Sequence, residues 1–267
     1  MPDQHPQLHP ELHHPEIREP DYWTDARSPL ASLCFLLPWL AVYEAGIYLA
    51  SRESAATIRN GADYWMRTLL AHAGAGHLVL PVLVIAALLA WHFAGKHPWR
   101  LKAETQLGML AESLLLAIGL IALGRLHQLI FDLHLAHPQQ TPLAIMTPAA
   151  VKAVTYVGAG VYEEVLFRLC LIPAACLVFR LFEFPGRLAA VMATLTTSFL
   201  FAIAHHIGPA ADAFNLYSFS FRAAAGIFFA AVFLLRGFGI TVGSHAAYDL
   251  LVGVLLAPPG SLPHENS

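Results

Sequence analysis

Between residues 158 and 175 the chain reads GAGVYEEVLFRLCLIPAA, an apolar run with Glu163, Glu164 and Arg168 inside it. Two more polar pairs follow. The stretch SFLFAIAHHIG carries Phe201, His205 and His206, and GITVGSHAAYDLLVG carries His245 and Asp249. Glu164 and Arg168 stand four residues apart, so on a helix they share a face and can pair. His245 and Asp249 have the same spacing, which lets Asp249 orient the imidazole and fix its tautomer. Glu163 is turned about 100° around the helix from Glu164 and is left for another task. A structural ion pair accounts for Glu164 and Arg168 but not for Glu163. Two adjacent carboxylates disfavour each other's charge, a condition that prepares one of them as a general base. Two Glu, two His and one Asp converging inside a membrane would make a proteolytic site, a metal site or an ion path.

The elements that must hold these residues are membrane helices. Of 267 residues, 57% are hydrophobic and 12% charged, against about 25% charged in a soluble domain. Mean hydropathy is +0.57. The net charge of −3 gives no reason to expect a nucleic-acid partner. Cys34, Cys170 and Cys176 all lie in apolar stretches without a CxxC pair, which argues against a disulfide framework and a thiolate zinc site.

Apolar stretches near 29–50, 77–94, 107–131, 149–182, 188–206, 216–235 and 239–257 each predict a membrane helix. The run 149–182 would be about 51 Å long as one helix, more than a simple crossing needs. A break at Gly158, Gly160 or Pro173 would make an eighth segment. Residues 62–73 read as a short interfacial helix with aromatic anchors. The expected fold is therefore all-α, a polytopic bundle of seven to eight transmembrane helices around a polar cavity. Residues 28–257 form its single membrane domain, with the motif-bearing part at 149–257. A disordered His- and Pro-rich tail is expected at 1–27 and a short tail at 258–267. His5, His9, His13 and His14 could bind a metal, but the interspersed prolines break any helix that would align them. Counting Lys and Arg in the loops gives eight on the N-terminal side and five opposite, which predicts a cytoplasmic N-terminus.

Taken in order, the three clusters resemble the signature of the CAAX protease and bacteriocin-processing family, also called the Abi family. Its pattern is EExxxR, then FxxxH, then HxxxN or HxxxD, on successive membrane helices. Here it reads Glu163-Glu164-Val-Leu-Phe-Arg168, Phe201-Ala-Ile-Ala-His205 and His245-Ala-Ala-Tyr-Asp249. The resemblance covers about residues 150–257. It implies an intramembrane endopeptidase of a bacterial cell membrane, acting on a membrane-associated protein or peptide substrate in the lipid bilayer. Eukaryotic members remove the last three residues of prenylated CAAX proteins. Carried over, Glu163 and His205 would activate the attacking water, Glu164 and Arg168 would form the supporting ion pair, and His245 with Asp249 would bind the oxyanion. An Asn at 249 could donate a hydrogen bond, whereas Asp249 donates only when protonated and otherwise acts by orienting His245.

No cofactor is expected. A zinc-dependent version of the same enzyme is the alternative, since two His and two carboxylates could ligate zinc, although HExxH is absent. A non-catalytic scaffold or a transporter is the reading from another class. No inverted repeat of the kind transporters carry is visible. Glu44, Glu112, Arg125, His127 and Asp132 are expected to serve packing or interfaces, and His206 to pack at the rim of the site. One conflict arises from the helix boundaries. In a seven-crossing bundle the helices of His205 and His245 run parallel, and the two residues would differ in depth by about 16 Å.

Overall fold

The computed structural model describes residues 21–54, 59–76, 78–134, 149–208 and 211–256. The histidines of the N-terminal tail and the tail at 258–267 lie outside the described residues. Every regular element among the described residues is helical. In order these are α1 (Tyr22–Ala26), α2 (Pro29–Ser54), α3 (Gly61–His72), α4 (Val79–Ala94), α5 (Ala103–His134), α6 (Ala149–Glu164), α7 (Ile172–Leu181), α8 (Gly186–Ala204), α9 (Leu216–Arg236) and α10 (Phe238–Leu250). Among the described residues, five spans are long and apolar enough to cross a membrane: 29–49, 103–133, 186–204, 216–236 and 238–255. Helix α4 is a shorter apolar helix of 16 residues.

The 149–182 run stays one continuous helical rod. Between α6 and α7 the chain does not break but widens into a π-helical segment, Val165–Leu171. Pro173 explains the position. Its ring clashes with the carbonyl four residues back and removes one ladder hydrogen bond, so the preceding turn must open. Gly158 and Gly160, the other candidate breakpoints, serve close packing instead. A Cβ on Gly160 would lie 2.6 Å from the backbone nitrogen of Ala246. That close approach brings α6 against α10, where only a hydrogen fits.

Helix α10 is the centre of the bundle. Every residue from Phe238 to Ala247 is buried, and the helix packs on α2, α5, α6 and α9. Its small residues Gly239, Gly243, Ser244, Ala246 and Ala247 let those neighbours come close in a setting without water to drive association. Gly237, at φ +92, closes α9 and opens α10 with no loop between. The left-handed backbone there suits glycine. The two helices therefore form a tight antiparallel hairpin, in which Phe229 and His245, each eight residues from the turn, stack with ring centroids 4.4 Å apart.

Outside the core, α3 forms over the stretch expected to be interfacial. Asn60 caps it, accepting from the Asp63 backbone N–H at 2.8 Å. Helix α1 lies inside the segment expected to be tail. Asp21 caps it, and Tyr22 donates to Glu112 on α5 at 2.6 Å.

Candidate active site

The π segment sets up the site. Glu164 is the last residue of α6 and Arg168 lies one turn on, within the widened helix. Arg168 Nε stands 3.1 Å from Glu164 Oε2, as the four-residue spacing predicts. Both side chains are almost wholly buried, so each charge must be met at the spot. Arg168 Nη2 also donates to the Gly226 carbonyl of α9 at 3.1 Å. Its guanidinium carbon lies 4.7 Å from the ring centre of Phe201 and 5.5 Å from that of Phe229. Two aromatic faces thus complete the shell of a cation that lipid could not solvate. This gives Phe201 of the FxxxH motif a concrete task. It is a wall of the Arg168 pocket and contacts the rings of His205 and His245 as well.

Glu164 has a second partner that spacing alone did not reveal. Its Oε1 accepts from His245 Nδ1 at 2.6 Å, across 81 residues of sequence. Asp249, the expected orienting group, lies 3.5 Å from the other ring nitrogen, Nε2. The imidazole is therefore oriented chiefly by Glu164, and Phe229 stacks on its face. The chain Arg168–Glu164–His245 links α6, the π segment and α10 through one buried carboxylate.

Glu163 behaves differently. Its side chain is 13% exposed where that of Glu164 is 0%. Its Oε2 lies 3.8 Å from His205 Nε2 and 3.9 Å from His245 Nε2. Both separations exceed a direct hydrogen bond and match groups that share a bridging water. The two nitrogens cannot be further apart than the sum of those distances, so the depth difference of about 16 Å expected from straight helices is not found. His205 closes the gap because it is the C-cap of α8 and its ring folds back along the helix. Its Nδ1 lies 2.8 Å from the Phe201 carbonyl. A carbonyl only accepts, so Nδ1 carries a proton, and Nε2 is the ring atom turned toward Glu163.

The structure thus brings Glu163, Glu164, Arg168, His205, His245 and Asp249 into one cluster drawn from α6, the π segment, α8 and α10. His206 turns away. Its Nδ1 meets the Asp212 carbonyl at 3.0 Å, and its ring packs on Phe214 and Phe219. Sequence reasoning missed the contribution of α9, namely the Gly226 carbonyl and the Phe229 ring. Both sit in an apolar stretch with no motif, and only their spacing of three residues on one helical face hinted at a shared role. Among the described residues, no three His, Cys, Asp or Glu side chains are grouped to hold a metal ion.

Glu44 and Glu112, expected to serve packing or interfaces, sit in charged clusters that join helices. Arg67 Nη2 donates to Glu44 at 2.5 Å and Arg67 Nε to Asp63 at 2.5 Å. Tyr43 donates to Asp63 at 2.8 Å, and Tyr162 donates to Glu44. Glu112 accepts from Arg236 Nε at 2.5 Å as well as from Tyr22. Asp63 and Arg67 form an i, i+4 pair that spacing could have found, whereas Glu44 and Glu112 meet arginines distant in sequence.

A helical bundle with several helices long and apolar enough to cross a membrane, and with a buried cluster of carboxylates and imidazoles at its centre, is the architecture of a polytopic membrane protein. Residues 145–251 match the family model described as type II CAAX prenyl endopeptidase Rce1-like. The match runs from α6 to α10 and contains all six clustered residues, and over that part the chain is similar to this family. No curated protein matches, and no solved structure matches.

Proposed function

We propose that the protein is an intramembrane endopeptidase of the CAAX type that hydrolyses a peptide bond of a membrane-associated substrate with a water activated by Glu163 and His205. The observation that carries this reading is the convergence of Glu163 Oε2 on Nε2 of His205 and Nε2 of His245, at 3.8 and 3.9 Å, beyond direct hydrogen bonding. A water seated there donates one hydrogen to Glu163 and the other to the lone pair of His205. As the water oxygen bonds to the scissile carbonyl carbon, its proton passes to this pair and the carbonyl oxygen takes up the negative charge. His245 carries Nδ1–H toward Glu164. Protonated at Nε2 as well, it directs a second donor into the cavity, where the oxyanion forms. Collapse breaks the C–N bond, and the proton held by the Glu163–His205 pair goes to the leaving amine. Glu164 and Arg168 take no proton in this scheme and keep the imidazole of His245 in place.

Zinc is not needed for any of these steps. The test compares new peptide termini in membrane fractions of cells expressing wild type or Glu163→Ala. Termini that vanish with the variant, at equal amounts of folded protein, are the expected result and name the substrates. Identical termini in both would defeat the peptidase reading, and proton flux that depends on Glu163 would then identify a transporter.

A further inference from the structure

Helix α9 presents one stripe to the site. Arg222, Gly226 and Phe229 are spaced by four and three residues and so lie on one face. Gly226 accepts from Arg168 and Phe229 stacks on His245, which fixes that face as the one turned inward. Arg222 is the next position along it, one turn toward the N-terminus of α9. Because α9 and α10 are antiparallel about Gly237, this is also the direction in which α10 runs from His245 to Asp249.

The side chain divides its nitrogens. Nη2 pairs with Asp212, a residue of the loop that follows His205. The Asp212 backbone N–H donates to the His205 carbonyl at 2.9 Å, and the Asp212 carbonyl accepts from His206. Nη1 is buried and has no hydrogen-bond partner among the described residues. A buried guanidinium N–H left unpaired costs free energy unless something arrives to accept it. Asp249 meanwhile holds the place where the family pattern also allows Asn, and an ionised carboxylate has no proton to donate.

We propose that Arg222 is a further catalytic residue of this site, its unpaired Nη1 donating to the oxyanion on the scissile carbonyl and replacing the amide donor that Asp249 lacks. The inference rests on the peptidase reading above. The proton balance of that reaction is unchanged, because Arg222 holds its proton throughout and contributes only a donor and a positive charge.

The experiment uses the full chain in lipid nanodiscs and a quenched fluorescent peptide with a farnesylated CAAX terminus, or a substrate found by terminus mapping if that peptide is not cut. Kinetics are measured for Arg222→Gln, Arg222→Lys, Asp212→Asn, Asp249→Asn and the double variant Arg222→Gln/Asp249→Asn. Loss of one oxyanion donor predicts that Arg222→Gln lowers kcat by about 100-fold with KM nearly unchanged. In the Asp249→Asn background, where an amide is present, the same change should cost under about tenfold. Asp212→Asn cuts the outer ion pair but keeps the backbone bonds to His205 and His206, and it should stay within about threefold of wild type. A kcat loss as large in the Asp249→Asn background, an effect on KM alone, or an Asp212→Asn defect equal to that of Arg222→Gln would overturn the assignment in favour of a purely structural arginine. If Arg222→Gln does not fold, Arg222→Lys, which keeps the charge, should still show a kcat-specific loss that Asp249→Asn relieves. Wild-type cleavage that does not depend on Glu163 would sink the peptidase reading itself, whatever Arg222 does.

Discussion

Two buried charge clusters sit on neighbouring residues of α6 and are finished in opposite ways. Tyr162 belongs to one, Glu163 to the other. In the first, Asp63 accepts from Tyr43, Arg59 and Arg67, and Arg67 reaches on to Glu44 and Tyr162. Carboxylates, guanidiniums and phenols all meet a partner at hydrogen-bonding distance, and the ring of Tyr43 packs edge-on against that of Tyr162. In the second, Glu164 is as closely held, but Glu163 stands 3.8 Å from its nearest ring nitrogen. A saturated network specifies how α2, α3 and α6 pack and leaves nothing over for chemistry. An unsaturated one leaves a carboxylate facing two imidazole nitrogens with none of them in a direct hydrogen bond to another. Both clusters hold carboxylates and guanidiniums, the first joined by phenols and the second by imidazoles, and residue types alone do not separate them. The difference lies in whether the network closes.

The largest effect separating the two should come from Arg168→Met. It leaves Glu164 buried beside His245 with its cation gone, and removal of one member of a buried pair costs about 3–5 kcal/mol. His245 loses its orienting anion as well, so cleavage should fall by at least about 100-fold even in the fraction that folds. Thermal unfolding of the detergent-solubilised protein, with turnover measured per folded molecule, reads both quantities. Full activity per folded molecule would show that Glu164 and Arg168 are structural only and would merge the two clusters into one kind.

Arg67→Met is the matching cut in the closed network. Asp63 and Glu44 lose a shared cation, and a stability loss of about 3 kcal/mol is expected. Activity per folded molecule should stay within about threefold, because Tyr162 and Glu163 lie about 100° apart around α6 and point to different clusters. A turnover loss comparable to that of Arg168→Met would show that the α3 network reaches the site through Tyr162, and the contrast would fail.

The site was more legible than its surroundings. EExxxR, FxxxH and HxxxD are spaced so that each pair shares a helical turn, and a charge inside an apolar run stands out without any tertiary knowledge. Helix positions were legible for the same reason, since membrane spans need long apolar stretches. The link from Glu164 to His245 was not, for it spans 81 residues, and neither were the roles of Gly226 and Phe229, which look like ordinary membrane-helix residues until they are packed. The depth of His205 was misjudged because a helix-end ring can fold back along its own helix, a local hydrogen bond that rise per residue does not contain. Glu44 and Glu112 read as isolated because their arginines come from other helices.

The smallest effect concerns the third cluster, where Tyr22 of α1 donates to Glu112, and Arg236 lies 5.5 Å from its ring centre. Tyr22 precedes the first membrane span. Burial, and then the hydrogen bond and charge of Glu112, push its hydroxyl up from the ordinary 10.0 to about 12. The neutral phenol is thus favoured in the folded state. The stabilisation it gives is fully present below pH 10, where Tyr22 is protonated folded or unfolded, and is lost as pH rises through about 12. Tyr22→Phe should remove this dependence at a cost of about 1.5 kcal/mol near neutral pH, the low end of the worth of one hydrogen bond to a charged acceptor. Unfolding midpoints of wild type and variant should therefore converge between pH 10 and about 12. Midpoints that stay parallel across that window would mean that α1 is held to α5 by the stacking of Trp23 on Arg236 and that the hydroxyl contributes nothing. Closure in this cluster would then be a matter of packing, unlike the network around Asp63.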